Sequence, residues 1–160
     1  MVQNADWGPH LWRILHTAAE RLGRQPTGLL AADERRAWIQ LLKVTEGILP
    51  CAQCRKHYGE WKGARPLDGL GAGSALRPSS REWLWRLHEA VNERTAAQRP
   101  RPTLEEVEAL YAPLAKDLAK EFDALRKVIQ DALLRGLLDG RHWAEWSTKL
   151  RFLRSLWSTG

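Results

Sequence analysis

Cysteine is nearly missing from this chain of 160 residues: there are two, Cys51 and Cys54. Two cysteines cannot build the disulfide framework of a small secreted domain. A chain of this length buries enough surface to fold without one. Long apolar runs are missing as well, and none approaches the ~20 residues that span a bilayer. The opening residues, Met1 to Asp6, have no basic n-region and no apolar h-region, so no secretory signal is expected. Strand-like alternation of Val, Ile and Thr is absent, which argues against a sheet. An excess of one charge is lacking too. The net charge of +6 is shared equally between residues 1–112 and 113–160. That is too small and too even for a nucleic-acid footprint. These absences predict an all-α chain on the side of the membrane where it was made, with no nucleic-acid or membrane partner.

What is abundant is tryptophan, with nine residues. A buried indole wants a partner for its N–H, and a cluster of indoles also makes a wall for a planar ligand. Apolar residues recur at helical spacing almost throughout. Leu11, Trp12, Leu15, Ala18, Ala19 and Leu22 predict a first helix from Trp7, ended by Gly23 and Pro26. Asp33 is read as the cap of a second, closed by Gly47. A third runs from Pro50 to about Trp61. Residues 62–79 read as a loop, and Ser79 or Ser80 as the cap of a fourth helix. Arg99 to Pro102 is a breaker. Thr103 with Glu106 forms a capping box for a short helix ending at Tyr111. Leu114 to about Leu138 predicts a long amphipathic helix ended by Gly140. A last helix carries a narrow seam of Trp143, Trp146, Leu150, Leu153 and Trp157, suited to helix–helix contact.

The chemistry-bearing motif is Pro50-Cys51-Ala52-Gln53-Cys54. Proline suits a helix start because a first turn cannot use its N–H. Cys51 is thereby placed at a helix N-terminus, where the partial positive charge favours a thiolate. Arg55 and Lys56 push the same way. Such a pair is fit for thiol–disulfide exchange. A thioredoxin frame is excluded by the lack of strands. Haem attachment is excluded because Arg55, not His, follows Cys54. Zinc remains an alternative, with Cys51, Cys54 and His57 as ligands and His16 or His88 as the fourth. Gly71-Ala72-Gly73 is no dinucleotide fingerprint, since no strand precedes it.

Four ordered motifs carry a family resemblance. Trp7-Gly8-Pro9-His10-Leu11-Trp12-Arg13-Ile14-Leu15-His16-Thr17 opens the chain. Leu49-Pro50-Cys51-x-x-Cys54-Arg55-x-His57-Tyr58 follows, then Trp85-x-x-His88-x-x-Val91-Asn92, and then Glu105 to Tyr111. Together these resemble the FAD-dependent sulfhydryl oxidases of the Erv/ALR type, especially the compact viral members. The resemblance implies a four-helix bundle with a short fifth helix that holds FAD in its mouth. It implies that Cys51 and Cys54 are catalytic, with Cys54 against the flavin and Cys51 facing substrate. It implies that Gly8, Trp12, His16, Cys54, His88, Val91, Asn92 and Tyr111 contact FAD. Helical spacing agrees, because Trp12 and His16, like His88 and Asn92, are four apart and share a face. Protein thiols or a dithiol relay protein are the implied partners, a homodimer through the first two helices the implied assembly, and cytoplasm or virion the implied setting.

The chain departs from that pattern in three places. Glu89 stands where the family often has Asn. A third cysteine is lacking, so no second dithiol relays electrons within the chain. Residues 113–160 have no counterpart in the minimal domain. The expected division is therefore an oxidase domain at 1–112 and a C-terminal amphipathic extension at 113–160. That extension is expected either to dock on the bundle or to bind another chain or a membrane surface. The competing reading of the whole is a silent helical assembly protein that retains the fold.

Overall fold

Helical periodicity sets the elements. The computed structural model describes residues 4–95 and 101–158, with the backbone alone for 115–117. Among the described residues seven α-helices follow one another: α1 (Asn4–Ala19), α2 (Gly28–Val44), α3 (Ala52–Ala64), α4 (Leu76–Thr95), α5 (Leu104–Tyr111), α6 (Leu118–Leu134) and α7 (Gly140–Ser158). No strand occurs among the described residues. Helices α1, α3, α4 and the short α5 carry the site, and α6 and α7 pack against α1 and α2 respectively.

Several helix ends fall elsewhere than the sequence suggests. The cap of α2 is Thr27, whose hydroxyl accepts from the Leu30 N–H at 3.1 Å. Asp33 lies inside the helix and pairs with Arg36. Helix α4 begins at Leu76 rather than Ser79 or Ser80. Pro78 falls in its first turn, where a missing N–H costs nothing. The expected loop at 62–79 is correspondingly shorter and holds two 3-10 turns, Leu67–Gly69 and Gly73–Ala75. The capping box of α5 forms as expected. The Arg99-Pro100 half of the expected breaker lies outside the described residues. Helix α6 stops at Leu134, because Gly136 adopts φ +71°. The Gly136 N–H then bonds to Leu133 O and the Leu137 N–H to Ala132 O, a Schellman closure that glycine permits. Gly140, expected to end this helix, is the first residue of α7.

One core runs through all of this. It joins Leu11, Ile14, Leu15 and Ala18 of α1, Trp38, Leu41 and Leu42 of α2, Leu84 and Leu87 of α4, Leu125 and Ile129 of α6, and Trp146, Leu150 and Leu153 of α7. The tryptophan seam of α7 therefore turns inward, with Trp146 fully buried and Trp143 and Trp157 packed at its edge. Three of the indoles in this part of the core find acceptors. Trp38 donates to Ser80 Oγ at 2.9 Å, and Trp146 donates to Thr45 Oγ1 at 3.0 Å. Trp157 donates to Glu34 at 3.0 Å, a buried carboxylate that also accepts from the Gly23 N–H and from Gln25. One face of α1 and one face of α2, the helices of the expected homodimer, are packed against the chain's own α6 and α7.

A second polar brace fixes the site helices. Arg81 of α4 donates two hydrogen bonds, at 2.7 and 2.6 Å, to Glu20, which follows α1 and is 2% exposed. The same guanidinium reaches Glu108 of α5 at 3.4 Å. Removing one partner of such a pair strands a buried charge, at about 3–5 kcal/mol.

A core shared by both halves makes a definite prediction. Ile129→Ala should destabilise the whole chain by about 2–5 kcal/mol, read as a shift of a single urea transition. An early, separate transition for α6 and α7 with the rest unchanged would contradict a shared core.

Candidate functional site

A cavity of about 710 Å³ opens between α1, α3, α4 and α5. That is within the usual range for a site that swallows a small molecule. Every residue singled out from the sequence lines it: Gly8, Trp12 and His16 from α1, Cys51 and Cys54 at the start of α3, His88, Val91 and Asn92 from α4, and Tyr111 from α5. Helical spacing put each group on one face, and the bundle turns those faces toward one another.

The dithiol sits at the cavity wall. Cys51 and Cys54 are joined by a disulfide, with Cα atoms 5.1 Å apart. Cys51 is not in the first turn but caps it, and its Sγ accepts the Cys54 backbone N–H at 3.2 Å. The electropositive end of α3 is thereby directed at the Cys51 sulfur. Arg55 does not face the sulfurs as expected. Its guanidinium donates to Leu49 O at 2.6 Å and to Leu137 O at 3.3 Å, tying the active-site helix to the α6–α7 turn. At the other sulfur, the Asn4 side-chain amide lies 3.6 Å from Cys54 Sγ.

Opposite the dithiol stands an aromatic cluster. Trp12 stacks on His88 with ring centroids 3.9 Å apart, and His16 stacks on Tyr111 at 4.5 Å. His16 Nε2 and His88 Nδ1 meet at 3.4 Å, so one carries the proton and the other accepts it. Both imidazoles are held neutral. Burial pushes His16 down to about 3, helped by His88. Burial pushes His88 down to about 4; Glu89 opposes this and Arg101 assists it. His16 Nδ1 is buried without a partner, as is Trp7 Nε1 on the same wall. Buried polar atoms left unpaired are costly, so these two mark places where a bound molecule would bond. Gly8 gives a matching sign. Inside a helix glycine costs about 1 kcal/mol relative to alanine, yet no atom lies within 4 Å of where its Cβ would sit. The room is left on the cavity side.

Some lining groups were not among the residues expected to bind. Glu89, noted as a departure from the family pattern, pairs with Arg101 at 3.1 Å. Arg13, Arg94 and Arg101 edge the cavity. Arg13 and His10 meet Glu121 of α6 at 3.2 and 2.8 Å. Asn4 stands outside every motif. Only the folded chain brings these positions to one cavity. The zinc alternative lacks its ligand set: among the described residues no group of three or more His, Cys, Asp or Glu side chains is arranged to hold a metal ion. No described helix is long and apolar enough to cross a membrane.

The buried imidazoles give the fold a pH dependence of known sign. Both are depressed below the ordinary 6.5 when folded, so unfolding below that pH takes up protons. Stability should be full above about pH 7 and fall as pH drops from 6.5 toward 4, by up to ~1.4 kcal/mol per pH unit for each proton. Urea midpoints at pH 7.5 and 5 read this directly. His16→Gln should flatten the slope, and an unchanged slope would mean His16 is not a source of it.

Comparison with known proteins points the same way. The chain is 32% identical over 85 residues to the FAD-linked sulfhydryl oxidase ERV1 of Oryza sativa subsp. japonica, covering 53% of this chain and 39% of that protein. It is 29% identical over 108 residues to a protein of Frog virus 3 (isolate Goorha) provisionally named as an FAD-linked sulfhydryl oxidase, covering 67% of each. It is 30% identical over 91 residues to the FAD-linked sulfhydryl oxidase ERV1 of Arabidopsis thaliana, covering 57% of this chain and 43% of that one. The chain thus spans about two fifths of the length of the two plant relatives. No solved structure matches at a significant level. The Erv1/Alr family model matches residues 9–111, a span that holds the dithiol and both histidine helices. The chain belongs to the Erv1/Alr family.

Proposed function

We propose that this chain is an FAD-linked thiol oxidase that forms disulfides in protein thiols. The observation that carries the reading is the meeting of the Cys51–Cys54 disulfide with a cavity walled by His16, His88, Trp12 and Tyr111. The names of the relatives and the family match support it.

The residues fit the cofactor. Gly8, Trp12, His16, His88, Val91, Asn92 and Tyr111 would hold FAD, with Cys54 beside it. The unpartnered His16 Nδ1 and Trp7 Nε1 suit its polar edges. The guanidinium groups at the rim suit a diphosphate. Trp12 and His88 are already in stacking contact, so a planar ring would lie on an outer face of that pair. Neutral imidazoles there donate or accept without bringing a full charge. FAD supplies the two-electron acceptor and the route to oxygen.

The protein's own part is exchange. A substrate thiolate attacks Cys51 Sγ, the Cys51–Cys54 bond breaks, and Cys54 leaves as a thiolate. A second substrate thiolate attacks the mixed disulfide and releases Cys51, so two electrons pass from substrate to the pair. With two cysteines in the chain, thiols come to Cys51 directly or through a relay protein. Residues 1–112 are proposed to carry this chemistry, and 113–160 to brace it. The setting is read as cytoplasmic or virion-associated, in keeping with the viral relative. A homodimer, where it forms, would use a face other than those covered by α6 and α7.

Four measurements bear on this reading. The purified chain should be yellow, with flavin absorbance. Cys54→Ser should keep the colour and abolish oxygen uptake with a dithiol, whereas retained turnover would contradict its role. Gly8→Ala should fold normally, since a Cβ there meets no packed protein atom within 4 Å, yet bind flavin more weakly. A sizing column should give a dimer, and a monomer at all concentrations would contradict that assembly.

A further inference from the structure

The two sulfurs of the disulfide stand in different electrostatic surroundings. Cys51 Sγ takes the cap position of α3 and receives the Cys54 backbone N–H. That geometry serves the sulfur which substrate attacks. It leaves the departing sulfur, Cys54, outside the helix-terminus donors. The polar group found there is the side chain of Asn4, the first residue of α1, with Nδ2 at 3.6 Å and Oδ1 at 3.8 Å from Cys54 Sγ. Asn4 also lines the cavity. Ala5 and Gly8 beside it carry no polar side-chain atom, and Gln53 and His57 of α3, which also line the cavity, make no hydrogen bond to Cys54 Sγ among the described residues.

We propose that Asn4 is the donor that stabilises Cys54 as the leaving thiolate in the exchange step, and so sets how readily the disulfide opens. This rests on the redox reading of the Cys51–Cys54 pair given above. A carboxamide suits the task because it serves each state of the sulfur. In the disulfide and in the thiolate, Cys54 Sγ accepts from Nδ2–H. In the thiol, S–H donates to Oδ1. When the substrate thiolate bonds to Cys51, the electron pair of the broken bond moves onto Cys54 Sγ, and the amide N–H faces that new charge. Exchange is faster as the leaving thiol becomes more acidic. The site is part-exposed, so the gain is moderate: roughly three- to tenfold in rate.

The test uses the purified chain with its cofactor. In a Cys51→Ser background, the pH dependence of Cys54 alkylation by iodoacetamide, read by mass spectrometry, reports its acidity without any turnover. Asn4→Ala should raise the Cys54 pKa by about half to one unit. Asn4→Asp should raise it further, because a carboxylate offers the thiolate no donor and adds repulsion. Asn4→Gln should retain most of the wild-type value. With both cysteines present, Asn4→Ala should slow reduction of the disulfide by dithiothreitol several-fold. The proposal is overturned if Asn4→Ala and Asn4→Asp leave the Cys54 pKa unchanged. It is equally overturned if Asn4→Asp restores the wild-type rate, since aspartate caps a helix as well as asparagine does and Asn4 would then be acting on α1 alone. Should Asn4→Ala lose helix content, the Asp and Gln variants decide. Failure of the oxidase reading would show separately, as a colourless chain that consumes no oxygen.

Discussion

The site depends on how firmly α1 is held. This one helix sends Leu11, Ile14 and Leu15 into the core, lays Gly8, Trp12 and His16 along the cavity, and brings Asn4 to the dithiol. A helix can serve three neighbours only if its rotation about its axis is fixed, because a turn of one residue, about 100°, would exchange its faces. Packing against α6 on one side and α4 on the other supplies that constraint. The Glu20–Arg81–Glu108 cluster adds directional bonds at the far end, where α1, α4 and α5 meet. The extension at 113–160 is therefore more than a cover. Glu121 of α6 holds His10 and Arg13, which flank Trp12 in α1.

The polar groups of the cavity show the cost of this arrangement. His16 is buried, neutral and short of one partner. Nothing in the bare protein compensates for that. The dithiol shows a different condition: Cys51 Sγ accepts the Cys54 backbone N–H, and the Asn4 carboxamide lies 3.6 Å from Cys54 Sγ. On the proposed reading, α1, α4 and α5 would hold the cofactor and the start of α3 would carry the exchange.

Helical class, the number of helices and the dithiol were legible because they are local. Periodicity of 3.6 needs only neighbouring residues, and C-x-x-C reads directly. Ends were read less well where two local signals compete. Asp33 is a strong cap residue, but burial of Glu34 and Trp38 keeps the helix continuous back to Thr27. Pro78 lies in the stretch read as a loop, yet packing of Leu76 starts α4 just ahead of it. Gly136 and Gly140 both offer a stop, and only backbone geometry chose the first.

The sequence by itself determined the helices, the redox pair and, through ordered motifs, the aromatic and histidine residues that share the cavity, because side-chain direction on a helix follows from spacing. Tertiary structure alone decided what meets across the gaps between helices. It turned the α7 tryptophans inward, matched Glu89 with Arg101, directed Arg55 to backbone carbonyls and brought Asn4 to Cys54. Such contacts join residues far apart in the chain, and their distances depend on how every intervening helix packs, which no local pattern encodes.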